Sequence, residues 1–185
     1  VRAKKIILTT VSIAILCWTI TPAFASGRKA PDFRLKDING NMVQFSDFLN
    51  SGPILVDFWA TWCVPCIKEM EHFQKLYQQY QERGFLILGI AVDNPRSASK
   101  IKPTVRAKGW TFPILLDPKK EVLKKFGGGN LIPFTAVVSP NGDIISVHKG
   151  YKAGNEKVVE QEILPYLLSP EPVADEAAET EQSSE

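Results

Sequence analysis

Histidine is nearly missing from this chain, cysteine is scarce, and no apolar run is long. The two histidines, His72 and His148, lie far apart, and of three cysteines only Cys63 and Cys66 are close together. A zinc site built on a Cys-x-x-Cys pair needs a second pair or suitably spaced histidines, so no metal is expected. Gly127-Gly128-Gly129 lacks the following Lys-Ser or Lys-Thr of a phosphate cradle. Ser97-Ala98-Ser99-Lys100 has the Ser-x-x-Lys spacing but none of the partner motifs of serine acyl-enzymes, and reads as a helix start. No internal repeat is present, nothing points to nucleic acid, and no cofactor is implied. With 185 residues, 44% hydrophobic and 23% charged, the chain is sized for one soluble domain rather than several membrane spans.

The ends differ from the middle. Residues 1–25 run from Arg2, Lys4 and Lys5 through an apolar stretch to Pro22 and Ala23-Phe24-Ala25, the three regions of a secretory signal peptide. The apolar stretch, residues 6–20, is shorter than the roughly 20 residues of a membrane span; an uncleaved anchor is the alternative. Leu16 before Cys17 is too bulky for a lipoprotein signal, so Cys17 belongs to the discarded segment. From Glu171 onward six acidic residues stand without a basic one, and residues 169–185 read as a disordered acidic tail. Residues 26–168 are the expected domain; 26–170 hold 19 basic and 14 acidic groups.

Residues 30–35 and 42–45 alternate around Asn39-Gly40 and predict a hairpin, with Ser46-Asp47 as the cap of a short turn reaching Leu49. Residues 54–60 are continuously apolar apart from Asp57, as befits a central strand covered on both faces. Helical spacing of Ile67, Met70, Phe73, Leu76, Tyr77 and Tyr80 predicts a helix over 65–83, stopped at Gly84. A strand over 85–92, a helical region to Lys108 interrupted near Pro103, a strand at 114–116 and a helix over 118–126 follow. Strands 134–139 and 144–149 flank Pro140-Asn141-Gly142-Asp143, a hairpin signal, and a last helix covers 155–168. This order describes an α/β fold with a mixed central sheet flanked by helices. The cysteine pair falls beyond the carboxyl end of the central strand, where open α/β sheets hold their sites.

A disulfide across two intervening residues closes too short a loop to stabilise much, so the pair is better explained by chemistry. Cys63 falls at a helix N-terminus, where unpaired N–H groups and the helix dipole favour the thiolate; it is the expected attacking thiol and Cys66 the resolving one. Pro65 suits the first turn. Asp57, desolvated inside its strand, would hold a proton to near neutral pH; alternatively it lies on a solvated strand end. Trp59 and Trp62 read as core and substrate platform respectively, or simply as packing.

The run Val56-Asp57-Phe58-Trp59-Ala60-Thr61-Trp62-Cys63-Val64-Pro65-Cys66 resembles the active-site segment of thioredoxins, and Ile132-Pro133-Phe134-Thr135 their cis-proline loop. The Ala30-Pro31-Asp32-Phe33 opening, the Asn39-Gly40 hairpin and the extra strand-helix segment between Val92 and Phe126 are similar to exported TlpA/ResA-like reductases. The resemblance implies a thioredoxin-like fold with an N-terminal β-hairpin and an inserted strand-helix segment. It also implies Cys63 as nucleophile, Cys66 as resolving thiol, Asp57 as buried acid, and Ile132 and Pro133 beside the bound substrate chain. The expected function is an extracytoplasmic thiol-disulfide oxidoreductase, periplasmic or membrane-anchored facing outward. It would reduce disulfides in exported proteins such as apocytochrome c and draw electrons from a membrane thiol donor. Three positions depart from relatives: Glu71 replaces a thioredoxin proline, Val64 stands where some cytochrome-maturation members have Glu, and residues 88–92 lack the lysine that approaches the buried acid. A peroxiredoxin-like peroxidase would need a Pro-x-x-x-Thr-x-x-Cys setting that residues 50–63 do not contain. A non-catalytic polypeptide-binding module would not need both cysteines.

Overall fold

In the computed structural model, which describes residues 27–169, seven strands form one mixed sheet. The expected signal segment and most of the acidic tail lie outside these residues. The strands are β1 (Arg34–Asp37), β2 (Met42–Gln44), β3 (Ile54–Trp59), β4 (Leu86–Ala91), β5 (Ile114–Leu116), β6 (Phe134–Val138) and β7 (Ile144–Lys149), ordered β2-β1-β5-β4-β3-β6-β7. β3, β4 and β5 run parallel, while β6 pairs antiparallel with β3, and β1 with β5. The N-terminal hairpin therefore does not stand apart; the inserted strand β5 welds it to the sheet. Every residue of β3 is buried, as its unbroken apolar run requires of a strand paired on both sides.

The helices are α1 (Val64–Tyr80), α2 (Ile101–Lys108), α3 (Glu121–Phe126) and α4 (Asn155–Ile163). Gly84 ends the first helical segment in the left-handed region at φ 82°. A Cβ on Gly52 would collide with the Gly84 carbonyl oxygen, so the chain entering β3 and the chain leaving α1 approach too closely for a side chain there. The aromatic core joins the layers: Phe33 stacks on Phe45 at 5.1 Å, and Phe126 packs against both Phe33 and Phe58.

Four local expectations are corrected. The turn after β2 spans Phe45–Phe48 rather than starting at a Ser46 cap, because Phe45 must bury against Phe33; Asp32 instead accepts the Ser46 N–H at 3.1 Å. Pro103 does not interrupt α2. It is the third residue of that helix, where the backbone N–H has no intrahelical partner to lose. α3 begins at Glu121, not Pro118, because Asp117 caps it: its carboxylate accepts the N–H groups of Glu121, Val122 and Leu123 at 2.9, 2.9 and 3.0 Å. α4 stops at Ile163 and continues as a tighter turn over Leu164–Tyr166, since Pro165 cannot donate to the helical ladder.

Replacing Asp117 with Ala leaves those three donors short of a partner. Chemical denaturation should show a loss of about 1–2 kcal/mol, the scale of a capping residue; an unchanged midpoint would contradict the capping role.

Candidate active site

The dithiol is positioned by the way β3 becomes α1. After Trp59 the chain turns, with the Cys63 N–H donating to the Ala60 carbonyl at 3.0 Å. Asp93, buried at the end of β4, clamps the turn: Thr61 donates its N–H to Oδ2 at 2.9 Å and its hydroxyl to Oδ1 at 2.6 Å. Cys63 is the N-cap of α1 and its Sγ accepts the Cys66 N–H at 3.3 Å. Cys66 lies in the first turn, and the two are joined as a disulfide with Cα atoms 5.3 Å apart. No acidic residue occupies that turn, so nothing in it offsets the positive end of the helix dipole that favours a thiolate.

The sulfurs differ in access. Cys66 is wholly buried and Cys63 retains 5% exposure, while the flanking Trp62 and Val64 are 57% and 78% exposed. Trp59, by contrast, is core, edge-on to Trp110 at 5.0 Å. The Ile132-Pro133 peptide is cis. Pro133 immediately precedes β6, whose Phe134 pairs with Phe58 of β3, so this loop and the dithiol share one edge of the sheet. The exposed Leu131 lies in the same loop.

Asp57 is fully buried, which removes the solvated strand-end alternative. It faces Thr135 across the β3–β6 pairing, and the Thr135 hydroxyl donates to Oδ1 at 2.8 Å; Oδ2 has no partner. Burial, and then the charge of Glu69, push its carboxyl well above the usual range, while the Thr135 bond pulls it back. Glu69 was not anticipated from sequence. It lies three residues past Cys66 on α1, 2% exposed, with Oε2 unpartnered. Burial raises it to about 7, against the lowering effect of the nearby Asn155 and Thr135 side chains, and the charge of Glu156 raises it further. No described cation forms a salt bridge to either acid. The lysine missing from β4 is thus matched by a second carboxyl. Both therefore keep their protons to higher pH than exposed carboxyls do, and the charge of one raises the other.

The histidines lie elsewhere. His148 Nε2 meets Glu162 Oε2 at 2.9 Å, and Ser146 donates to that same oxygen at 2.6 Å. With the acid on the nitrogen that faces the serine, this cluster pins β7 to α4 and has no free base to activate a hydroxyl. Among the described residues no group of three or more His, Cys, Asp or Glu side chains is placed to hold a metal ion.

Comparison with known proteins follows the same lines. The family described as AhpC/TSA matches residues 26–147. The thiol-disulfide oxidoreductase ResA of Geobacillus thermodenitrificans is 31% identical over 160 residues, covering 80% of this chain and 90% of that protein. ResA of Geobacillus kaustophilus is 35% identical over 133 residues, 72% of this chain and 74% of the relative. A crystal structure from Chlorobium tepidum, provisionally assigned as thiol:disulfide interchange protein DsbE, matches with a TM-score of 0.68 at 26% identity. It aligns over 76% of this chain and 96% of that one.

A carboxyl whose pKa is raised on folding binds more protons in the folded than in the unfolded state, so its stability contribution declines as pH rises from the unfolded value through the folded one. For Glu69 that window runs from the ordinary 4.5 to about 7. Glu69→Gln should therefore be more stable than the parent at pH 8, by on the order of 2–3 kcal/mol, with the difference vanishing near pH 4. Denaturant titrations at the two pH values measure it; a pH-independent difference would refute it.

Proposed function

Because the chain belongs to the AhpC/TSA family of thioredoxin-fold proteins and is a thiol-disulfide oxidoreductase, we propose that it works outside the cytoplasm, reducing disulfides in exported proteins. The observation that carries this reading is the Cys63–Cys66 pair at the start of α1, with Cys63 retaining some exposure, Cys66 fully buried, and two carboxyls of raised pKa buried in the same core. Exported proteins with paired cysteines, apocytochrome c among them, are the substrate class, and a membrane thiol donor returns the electrons. The basic start and short apolar run of residues 1–25 support export, as a cleaved signal or a retained anchor. Residues 26–168 form the catalytic domain, and the acidic residues from 169 onward serve as a solubilising extension.

In the reduced protein the Cys63 thiolate attacks one sulfur of the substrate disulfide. The other substrate sulfur leaves as a thiolate and takes up a proton. Cys66 then attacks Cys63 Sγ, which releases the second substrate thiol and regenerates the internal disulfide. Two electrons have passed to the substrate. Cys66 is fully buried, so its proton goes to the ionised member of the buried carboxyl pair, with Asp57 as the acid and Glu69 acting on it through its charge. Trp62, Ile132 and Pro133 form the platform on which the substrate chain lies. The reducing direction is favoured because no histidine stands between the cysteines to stabilise the thiolate, the device of a strong oxidant.

Cys63→Ser should abolish insulin reduction with dithiothreitol above background, and parental activity in that variant would refute the reading. Cys66→Ser should accumulate mixed disulfides at Cys63, separable on non-reducing gels. The reduction potential should fall below about −180 mV; a higher value would reverse the assigned direction.

A further inference from the structure

The parallel strands β3, β4 and β5 deliver their following loops to one edge of the sheet, the edge that carries Cys63. β6 begins there, with Phe134 opposite Phe58, and β7 ends there, with Lys149 opposite Phe134. The exposed side chains at the centre of this edge are apolar: Trp62, Val64 and Leu131.

The exposed charges of the loops around that centre are mainly basic. Arg96 follows β4, Lys120 follows β5 and Lys152 follows β7, with Arg96 and Lys152 exposed and Lys120 half-buried. Lys68, one turn along α1 from Val64, places its Nζ 5.3 Å from the centre of the Tyr151 ring. Tyr151 itself follows Gly150, whose N–H donates to the Pro133 carbonyl at 2.8 Å, so this ammonium is held against the cis-proline loop. The acids of the same loops are spent internally. Asp93 and Asp117 are both 2% exposed, with each of their oxygens accepting hydrogen bonds from Thr61 and from the start of α3. Two more acids sit in the first turns of the adjoining helices. Glu121 lies 4.0 Å from Lys119 and so offsets that lysine, and Glu156 turns back onto the Gly154 N–H at 3.1 Å.

From this arrangement the structure assigns a substrate preference: a polypeptide whose disulfide sits in an apolar stretch with carboxylate side chains on either side. The apolar part covers Trp62, Val64 and Leu131, and the carboxylates meet Lys68, Lys152 and Arg96. The assignment rests on disulfide exchange at Cys63 and adds which partners reach it. Cations spread around a low-dielectric centre draw anionic chains into encounter and repel basic ones. Because these side chains are solvated, the selection is a matter of approach and is screened by salt.

Three disulfide peptides test this, identical around the cysteines and flanked by Asp/Glu, Ser/Gln or Lys/Arg, reduced by the full-length dithiol protein under pseudo-first-order conditions. At about 20 mM ionic strength kcat/KM should rank acidic above neutral above basic, with roughly tenfold between the extremes. At about 1 M salt, where the screening length is about 3 Å, the three should converge. Charge reversal by Lys68→Glu together with Lys152→Glu should invert the ranking at low salt; Arg96→Glu with Lys152→Glu is the second pair if the first fails to fold. Equal rates for the three peptides at low salt, or a ranking that survives both reversals, would overturn the preference while leaving exchange at Cys63 intact. Failure to reduce any of the three would overturn the exchange reading itself.

Discussion

Two carboxyl groups inside an apolar interior, with no cation paired to them among the described residues, are the constraint around which the rest of this molecule is arranged. Asp57 is fixed in the middle of a strand paired on both sides, and Glu69 is buried on the same helix face as Cys66 and Phe73. Neither can retreat to water without unpairing β3 or rotating α1. Apolar residues of similar size at these positions would spare the protein the desolvation of charge. In the proposed reaction, what the pair provides is a proton held within the core, with Glu69 on the helix face that also buries Cys66. Stability and reactivity are therefore opposed at one place, as is common where local rules of folding are broken.

The surrounding architecture serves to keep that place dry and still. β4 and β6 close both sides of β3, Thr135 satisfies one Asp57 oxygen, and the edge-on Trp59–Trp110 contact ties the end of β3 to the inserted segment. The insertion also reaches the catalytic helix from outside: Glu71, standing where thioredoxins place a kinking proline, pairs with Lys108 of α2 at 2.7 Å. Nearby, the Gln74 amide both donates to the Thr111 hydroxyl and accepts the Thr111 N–H. A residue that marks a departure from thioredoxins in sequence is thus a contact that the extra segment makes possible.

Much of this was legible in the sequence because it is local. The unbroken run of β3, the Asn141-Gly142 turn between β6 and β7, and the Gly84 stop each carry their own physical cause within a few residues. Glu69 was not, and the reason is one of phase. Reading the helix stripe from Ile67 places Glu69 beside the apolar face, whereas the buried face runs through Cys66, Glu69, Met70, Phe73 and Leu76, with Ile67 only partly covered. Counting from the cysteine instead, a charged residue three positions on would have fallen on the core-facing side. The β1–β5 pairing was illegible for a different reason: it joins segments about 80 residues apart in a chain of 185, and strand propensity does not say which edge a strand will find. Asp93 and Asp117 look like ordinary strand-end acids until the N–H groups they accept from are placed beside them.

The Asp93 clamp bears on the stereochemistry of exchange. Sulfur displaces sulfur along a line through three atoms, so an attacking thiolate succeeds only when its partner disulfide points end-on at it. By gripping Thr61 through both its amide and its hydroxyl, Asp93 fixes the turn from which Cys63 projects to the frame of β4. In the proposed exchange the direction of attack is then set by the protein before any partner arrives, and it falls to the incoming chain to rotate its own disulfide into line.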